Sequence, residues 1–476
     1  MNGKINVKKL SVILVIAYLI IGTSFYFIGG EQLKIGKSNN SLSYEVGDSP
    51  IGAILNNTTI EQDFSVNADI INKISIKVAT YARVNKGNLF IKLVDKQNGN
   101  NILNQTIDVS TLKDNSNLVL DIRSKIIGIE GKTLALIITS DIDDINNSIT
   151  LYTGKGIEGL PLYVNEQLNE NTLLLNVECG EKLWFGQYYW FIFLIGLILL
   201  ISYMLSLASK QKNEKQSLGL NVMTAFIKYK FLLSQLVERD FKTKYKRSVL
   251  GILWSFLNPI LTMTVQYIVF STIFKSDIPN FPVYLLSGIV VFNFFSEACG
   301  MGLMSIIGNA SLITKVYVPK YIYPVSRVFS SVINLLLSLI PLTIVMLLTN
   351  TKITFSIFLI PFALICTVLF CIGMAFILSS TMVFFRDTQF LWNVISLLWM
   401  YATPLFYPEN IIPDTFSFIL KINPMYHFIR FIRIAILQGV SPEPMAYLYC
   451  IIFSMGTLLI GAIIFKKSQD KFVLNL

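Results

Sequence analysis

The chain has 476 residues, 53% of them apolar and only 14% charged, with a formal net charge of +10. That composition is too apolar for one soluble domain, and the length is too great for a single membrane module. With five scattered cysteines, one histidine and no metal-ligand spacing, a disulfide framework, a metal site and a His-dependent catalytic triad are all excluded. Taken in order, the chain begins with Lys4, Lys8 and Lys9 and continues apolar and uncharged over 11–28. The run exceeds the ~7–15 residues of a signal-peptide core and no small-residue cleavage site follows. Residues 1–29 therefore read as an uncleaved membrane anchor with its N-terminus inside.

Residues 30–186 change character. They hold 14 Lys+Arg against 19 Asp+Glu, while the rest of the chain holds 25 against 10. Apolar or alternating runs at 74–78, 89–94, 102–109, 118–122, 133–139, 149–152 and 173–177 are separated by turns rich in Asn, Asp and Gly. About seven strands at this rhythm predict an all-β sandwich outside the membrane, loosely similar to jelly-roll carbohydrate-binding modules. Tyr81, Tyr152 and Tyr163 are its candidates for stacking on a glycan. The stretch from Gly128 to Thr133 imitates a phosphate-binding loop, but Ile126 occupies the position of that motif's first glycine. The chain has no nucleotide-binding motif.

Residues 187–208 predict a second span and 209–248 a basic linker running into an amphipathic interfacial helix. From 249 onward six spans are expected, at 249–274, 284–307, 328–348, 355–385, 390–406 and 446–465. An inner loop at 308–327 and an outer segment at 407–445 join them. The outer segment carries five prolines and apolar pieces too short to cross, a pattern that reads as re-entrant. Basic residues fall on one side at every turn, which places both termini inside and 30–186 outside the cytoplasmic membrane. Basic residues flanking apolar spans are topology signals, and no aromatic-basic interleaving points to nucleic acid.

Arg239-Asp240, Lys244-Tyr245, Ser248 to Gly251, Trp254 and Asn258-Pro259 begin a series of motifs. It continues with Lys315 to Pro319, Phe385-Arg386-Asp387, Pro404 to Pro408, and Asn423-Pro424 with Arg433 ten residues after Asn423. In this order the series resembles the transmembrane domain of ABC-type export permeases for polysaccharide, teichoic acid and O-antigen, over about half the chain. The resemblance implies an α-helical polytopic fold with six exporter spans, here preceded by two more spans that hold the β-sandwich. It implies a homodimer bound to two copies of a separate ATPase that carries the ATP and magnesium, no cofactor in this chain, and a lipid-linked glycan polymer as cargo.

By the same resemblance, Lys315, Val316, Tyr317 and Pro319, with Arg239, Asp240, Arg386 and Asp387, couple to the ATPase. Tyr267, Phe295 and Trp399 are expected to line the polymer path. Tyr407, Pro408, Asn423, Pro424, Arg430 and Arg433 mark the outer re-entrant region, where a buried arginine is functional by default. Two other readings stay open at this point: an exporter of a small amphiphile or drug, and a membrane-anchored glycan receptor without transport.

Overall fold

The computed structural model describes residues 7–38, 42–44, 46–122, 128–213, 215, 217–246, 248–273, 278–316 and 318–475. Two units separate, Lys34–Tyr188 and the combination of Met1–Leu33 with Tyr189–Leu476. Each has its own apolar core. Helix α1 (Val7–Gly29) opens the second of these and is long and apolar enough to cross a membrane.

The β unit is built from β1 (Ile35–Lys37), β2 (Leu42–Ser43), β3 (Ser49–Pro50), β4 (Ile60–Ser65), β5 (Ile70–Ala79), β6 (Asn88–Asp95) and β7 (Asn101–Asp108). There follow β8 (Ser116–Asp121), β9 (Thr133–Ser140), β10 (Thr150–Lys155), β11 (Leu162–Val164), β12 (Gln167–Asn169), β13 (Asn171–Leu173) and β14 (Leu175–Lys182), and a one-turn helix α2 (Trp184–Gln187). An eight-stranded sheet runs β1-β14-β5-β10-β13, with β2 on β14, β3 on β10 and β8 on β5. A six-stranded sheet runs β12-β11-β4-β9-β6-β7. The alternation seen in sequence is the cause. Ile74, Ile76 and Val78 of one sheet and Leu134, Leu136 and Ile138 of the other are wholly buried. Burying each contributes on the order of 1.5–3 kcal/mol.

Each expected strand recurs, except that 173–177 divides at Leu174, whose N–H donates to the Tyr152 carbonyl at 2.9 Å. β4 escaped the sequence pattern because Gln62 and Asp63, both buried, interrupt its apolar residues. Gln62 reconciles its burial by bonding in both directions. Its Nε2 donates to the carbonyls of Leu160 at 2.9 Å and Asp63 at 3.1 Å, and its Oε1 accepts from the Leu173 N–H at 2.9 Å.

The helical unit continues with α3 (Tyr189–Lys212), α4 (Leu218–Tyr245), α5 (Trp254–Ile268), α6 (Phe281–Leu303), α7 (Ala310–Lys315), α8 (Ile322–Leu348) and α9 (Ile360–Phe384). Next come α10 (Thr388–Ala402), α11 (Ser417–Ile422), α12 (Pro424–Arg433), α13 (Pro444–Ser468) and α14 (Phe472–Asn475). Seven helices among the described residues are long and apolar enough to span. The eighth expected span, 390–406, is the exception. α10 has 15 residues, about 22 Å of helix against a ~30 Å hydrocarbon core. It stops where Thr403 Oγ1 takes the Trp399 carbonyl at 2.8 Å and Pro404 has no N–H to continue the ladder.

The inner loop is also shorter than expected, because α8 starts at Ile322 and carries Pro324 in its first turn, where a missing N–H costs nothing. α9 and α13 pack through glycine. A Cβ on Gly461 would lie 2.3 Å from the Gly373 carbonyl, so only hydrogen permits that approach.

Candidate functional site

Three membrane-length elements, α6, α8 and α5 extended by its flanking turns to Gly251–Ser271, bring polar side chains to one place. Helical spacing puts Asn293 and Glu297 on one face of α6, and Ser331, Asn334 and Ser338 on one face of α8. From α5, Trp254, Ser255 and Asn258 join them around a cavity of about 200 Å³. Asn258 and Asn293 are exposed at its mouth. Glu297 organises the interior. It accepts from Asn334 Nδ2 at 2.6 Å and pairs with Lys244, from the end of α4, at 2.9 Å.

The cavity wall also explains the Asn-Pro pair of α5. Pro259 sits inside the helix and offers no N–H to the Ser255 carbonyl four residues back. Ser338 Oγ of α8 donates to that carbonyl instead, at 3.3 Å. The proline thus fastens α5 to α8 beside the cavity.

A second polar cluster joins α4 to the same helix. Asp240 lies on the buried stripe of α4, one turn after Leu236, and its side chain is only 3% exposed. Asp240, expected among the ATPase-coupling residues, is thus buried within the helical unit. The carboxylate is held inside by Arg239 at 2.8 Å and Arg327 of α8 at 3.3 Å, and Arg239 also donates to Asn309 at 3.1 Å. Arg327 stands at the foot of the α8 stripe that continues through Ser331, Asn334 and Ser338. One helix face therefore links the Asp240 cluster to the cavity.

Beyond α6, Lys315 and Val316 are exposed at the end of α7 and Pro319 is half-buried; Tyr317 lies outside the described residues. Arg386 and Asp387 are exposed between α9 and α10, and no ion pair joins them among the described residues.

At the far end of α10, residues 403–408 are irregular and their carbonyls need donors. Arg433 of α12, 7% exposed, supplies them. It donates to the carbonyls of Pro404 at 2.6 Å, Leu405 at 3.0 Å and Tyr284 at 3.0 Å, and its guanidinium lies over the Tyr284 ring at 3.4 Å. Gly288 makes room, since a Cβ there would meet Arg433 Nη2 at 2.7 Å. The Tyr284 hydroxyl takes the Tyr407 carbonyl at 2.8 Å, while Tyr407 donates to the Tyr401 carbonyl at 2.6 Å.

Asn423-Pro424 begins α12 with a side-chain N-cap to Met425 and a proline in its first turn. Asn423 also accepts from Trp399 Nε1 at 2.8 Å and donates to Thr403 Oγ1 at 2.9 Å, which fastens α12 to the broken end of α10. Arg430 is outward, paired with Glu409 at 3.5 Å, next to half-buried Pro408.

The expected path aromatics do not come together on a surface. Phe295 is fully buried in a ring cluster with Phe292, Phe370, Trp392 and Trp399. Trp399 is half-buried and committed to Asn423. Tyr267 is 39% exposed on α5 and packs near Phe281. In this structure Phe295 has no face to offer a polymer, and packing accounts for it.

The signal that would have found the cavity was present in the sequence. Glu297 is the one acidic residue inside the helices α5 to α13, the others lying in the segments between them, and ionisable groups inside spans are rare enough to mark function.

Comparison with known proteins places these elements. Residues 232–437 match the model of the ABC-2 type transporter family. An O-antigen export system permease protein RfbA of Myxococcus xanthus is 30% identical over 246 residues, which are 51% of this chain and 95% of the relative. The chain belongs to the ABC-2 type transporter family. A Klebsiella pneumoniae O-antigen export permease RfbA is 32% identical over 51% of this chain and 93% of its own length. The polysialic acid transport protein KpsM of Escherichia coli is 23% identical over 51% and 95%. The ABC-2 match runs from the middle of α4 through α12, so it contains the cavity, the Asp240 cluster and the Arg433 network. The β unit lies outside it.

Proposed function

We propose that this ABC-2 chain is the membrane permease of an ATP-driven polysaccharide exporter, and that the saccharide passes along the polar cavity between α5, α6 and α8. The observation that carries the path is the convergence of Asn258, Asn293, Glu297 and Asn334 with Trp254 inside a helical membrane unit. Amides and a carboxylate can exchange hydrogen bonds with sugar hydroxyls, and an indole can stack on a sugar face. The names of the relatives support the cargo class. A lining this polar favours a hydroxyl-rich chain over a small apolar amphiphile.

Exposed Asn258 and Asn293 make a poor surface for hydrocarbon. Facing a second copy of the chain across a wet seam would satisfy them, which supports a homodimer. ATP and magnesium belong to a separate ATPase, in two copies, docked at exposed Lys315 and Val316 and along α4. Movement of α4 reaches the cavity by two routes: Lys244 pulls on Glu297 directly, and Asp240 pulls on Arg327 at the base of α8. The basic residues of α4 and of the end of α13 support a cytoplasmic position for that side, with the β unit outside. The cargo is lipid-linked O-antigen, teichoic-acid-type polymer or a related glycan.

The test is reconstitution of the chain with its ATPase in liposomes and measurement of lipid-linked polysaccharide export. Glu297→Gln and Asn334→Leu should lower export at least tenfold while assembly with the ATPase persists. Normal export by both variants would refute the path.

A further inference from the structure

We infer that the β unit carries a saccharide-binding groove on the outer face of its eight-stranded sheet, made by β5, β8 and β14. This inference stands apart from the export reading, which concerns other residues.

The strand registers build the groove. Lys77 of β5 lies opposite Asn117 of β8, and Ser75 of β5 opposite Asn176 of β14. Their neighbours Ile74, Ile76, Leu118 and Leu175 point the other way into the core, so period-two alternation sends these four polar residues to one face. Tyr44 and Asn115 raise the sides of a cavity of about 280 Å³. That is just below the ~300–1,000 Å³ of ordinary ligand pockets and suits a short chain segment. The walls are held in place. The Tyr44 hydroxyl donates to the Lys155 carbonyl at 2.5 Å. Asn115 adopts φ 50°, a left-handed conformation that asparagine tolerates, and accepts from the Tyr152 hydroxyl.

The chemistry selects the ligand. Three asparagines and a serine supply donors and acceptors together, which is what vicinal sugar hydroxyls require. Among the described residues of the lining, Lys77 is the only charged one. It pairs with Asp48 at 3.2 Å and lies 4.8 Å from the Tyr152 ring centroid, so the groove is close to neutral. A polyanion finds no net attraction there. A peptide strand finds no edge on β5 or β14, which are paired on both flanks, while β8 pairs with β5 alone among the described residues and its edge is what the hexapeptide competition below tests. A neutral or amino-sugar chain fits what is offered. Of the three tyrosines singled out in sequence, Tyr152 supports the groove through Asn115. Tyr163 belongs to β11 of the other sheet, beneath Lys96, and exposed Tyr81 lies outside the lining.

The experiment uses the full chain purified in detergent and titrated calorimetrically with lipid-free surface polysaccharide from the producing cells. Saturable binding is expected, and Asn117→Ala should weaken it roughly threefold to tenfold, the loss of about one hydrogen bond. Asn117→Arg, which fills the groove, should abolish it. Thermal melting of both variants establishes that the sheet is intact. Export measured on the same variants separates the two readings: lost binding with export retained supports the groove. No saturable binding at millimolar sugar overturns it. So does unchanged affinity in both folded variants, or full displacement by a neutral hexapeptide.

Discussion

Arg433 in the helical unit and Gln62 in the β unit solve the same problem under different conditions. Each is buried where regular backbone bonding fails, and each supplies it from a side chain. At Gln62 the surroundings offer both carbonyls and an N–H, and a neutral amide serves all of them. Around Arg433 the surroundings offer carbonyls alone, from Tyr284, Pro404 and Leu405. A guanidinium has donors only, five in a fixed plane, and suits that set better than any other side chain. Its charge is spread over carbonyl dipoles and the Tyr284 ring. A loop in contact with water can turn to it, whereas irregular chain at membrane depth must be satisfied by protein. The presence of a buried arginine in α12 follows from that constraint.

The comparison is broken most directly by Arg433→Met. The Leu405 carbonyl loses its Arg433 donor, the Pro404 carbonyl keeps only the Tyr284 hydroxyl at 3.3 Å and the Tyr284 carbonyl keeps Ser287 Oγ at 3.0 Å. A buried carbonyl left without a donor costs about 1–3 kcal/mol, so the expected outcome is a marked loss of monodisperse protein on size-exclusion chromatography. Arg433→Lys should recover only part of it, because an ammonium cannot span the three acceptors. A smaller effect is expected at Asp240→Asn, which leaves half-buried Arg327 without its counter-charge. The cost is about 3 kcal/mol, read as a lower unfolding midpoint in detergent and weaker ATPase stimulation. Gln62→Leu should cost about 2 kcal/mol and lower the melting transition of the β unit while the helical unit melts as before. A shared loss in both transitions would contradict the assignment of Gln62 to one unit.

Acid provides the mildest test of the contrast. The carboxyl of Asp69 is held below its usual value by the Lys182 hydrogen bond, Asp114 by the Thr80 backbone N–H and Asp141 by the Asn88 N–H. Depressed folded values make their contribution complete above the unfolded pKa of about 3.9 and lost as pH falls through the folded values. The melting temperature of the β unit should therefore be flat from neutral pH to about 5 and fall below about 4. A decline beginning near pH 6 would mean that other groups govern it.

Much of this was legible in sequence, and unevenly. Spans, the amphipathic α4 and the principal strands follow from periodicity, because burial on one face requires it. The break in α10 did not, because residues 390–406 are apolar throughout and only Thr403-Pro404 marks the stop. The burial of Asp240 was not legible, because its partner Arg327 lies 87 positions later. The aromatics drew attention to Phe295 and Trp399, yet rings at helical spacing also build cores, and here they do. Asn293 and Glu297 lie in one span and Asn334 in another, and only the packing of α6 against α8 brings them together.

The central claim is that polymer travels beside Glu297 and past the ring cluster without entering it. All five cysteines of the chain are free and buried, so Asn293→Cys creates a distinct reactive site at the mouth of the cavity. Labelled there with a photo-crosslinker and assembled with its ATPase, the permease should capture polysaccharide during ATP-driven export and release from this pattern when ATP is withheld. Continued export with no polymer captured at Asn293→Cys would contradict the account.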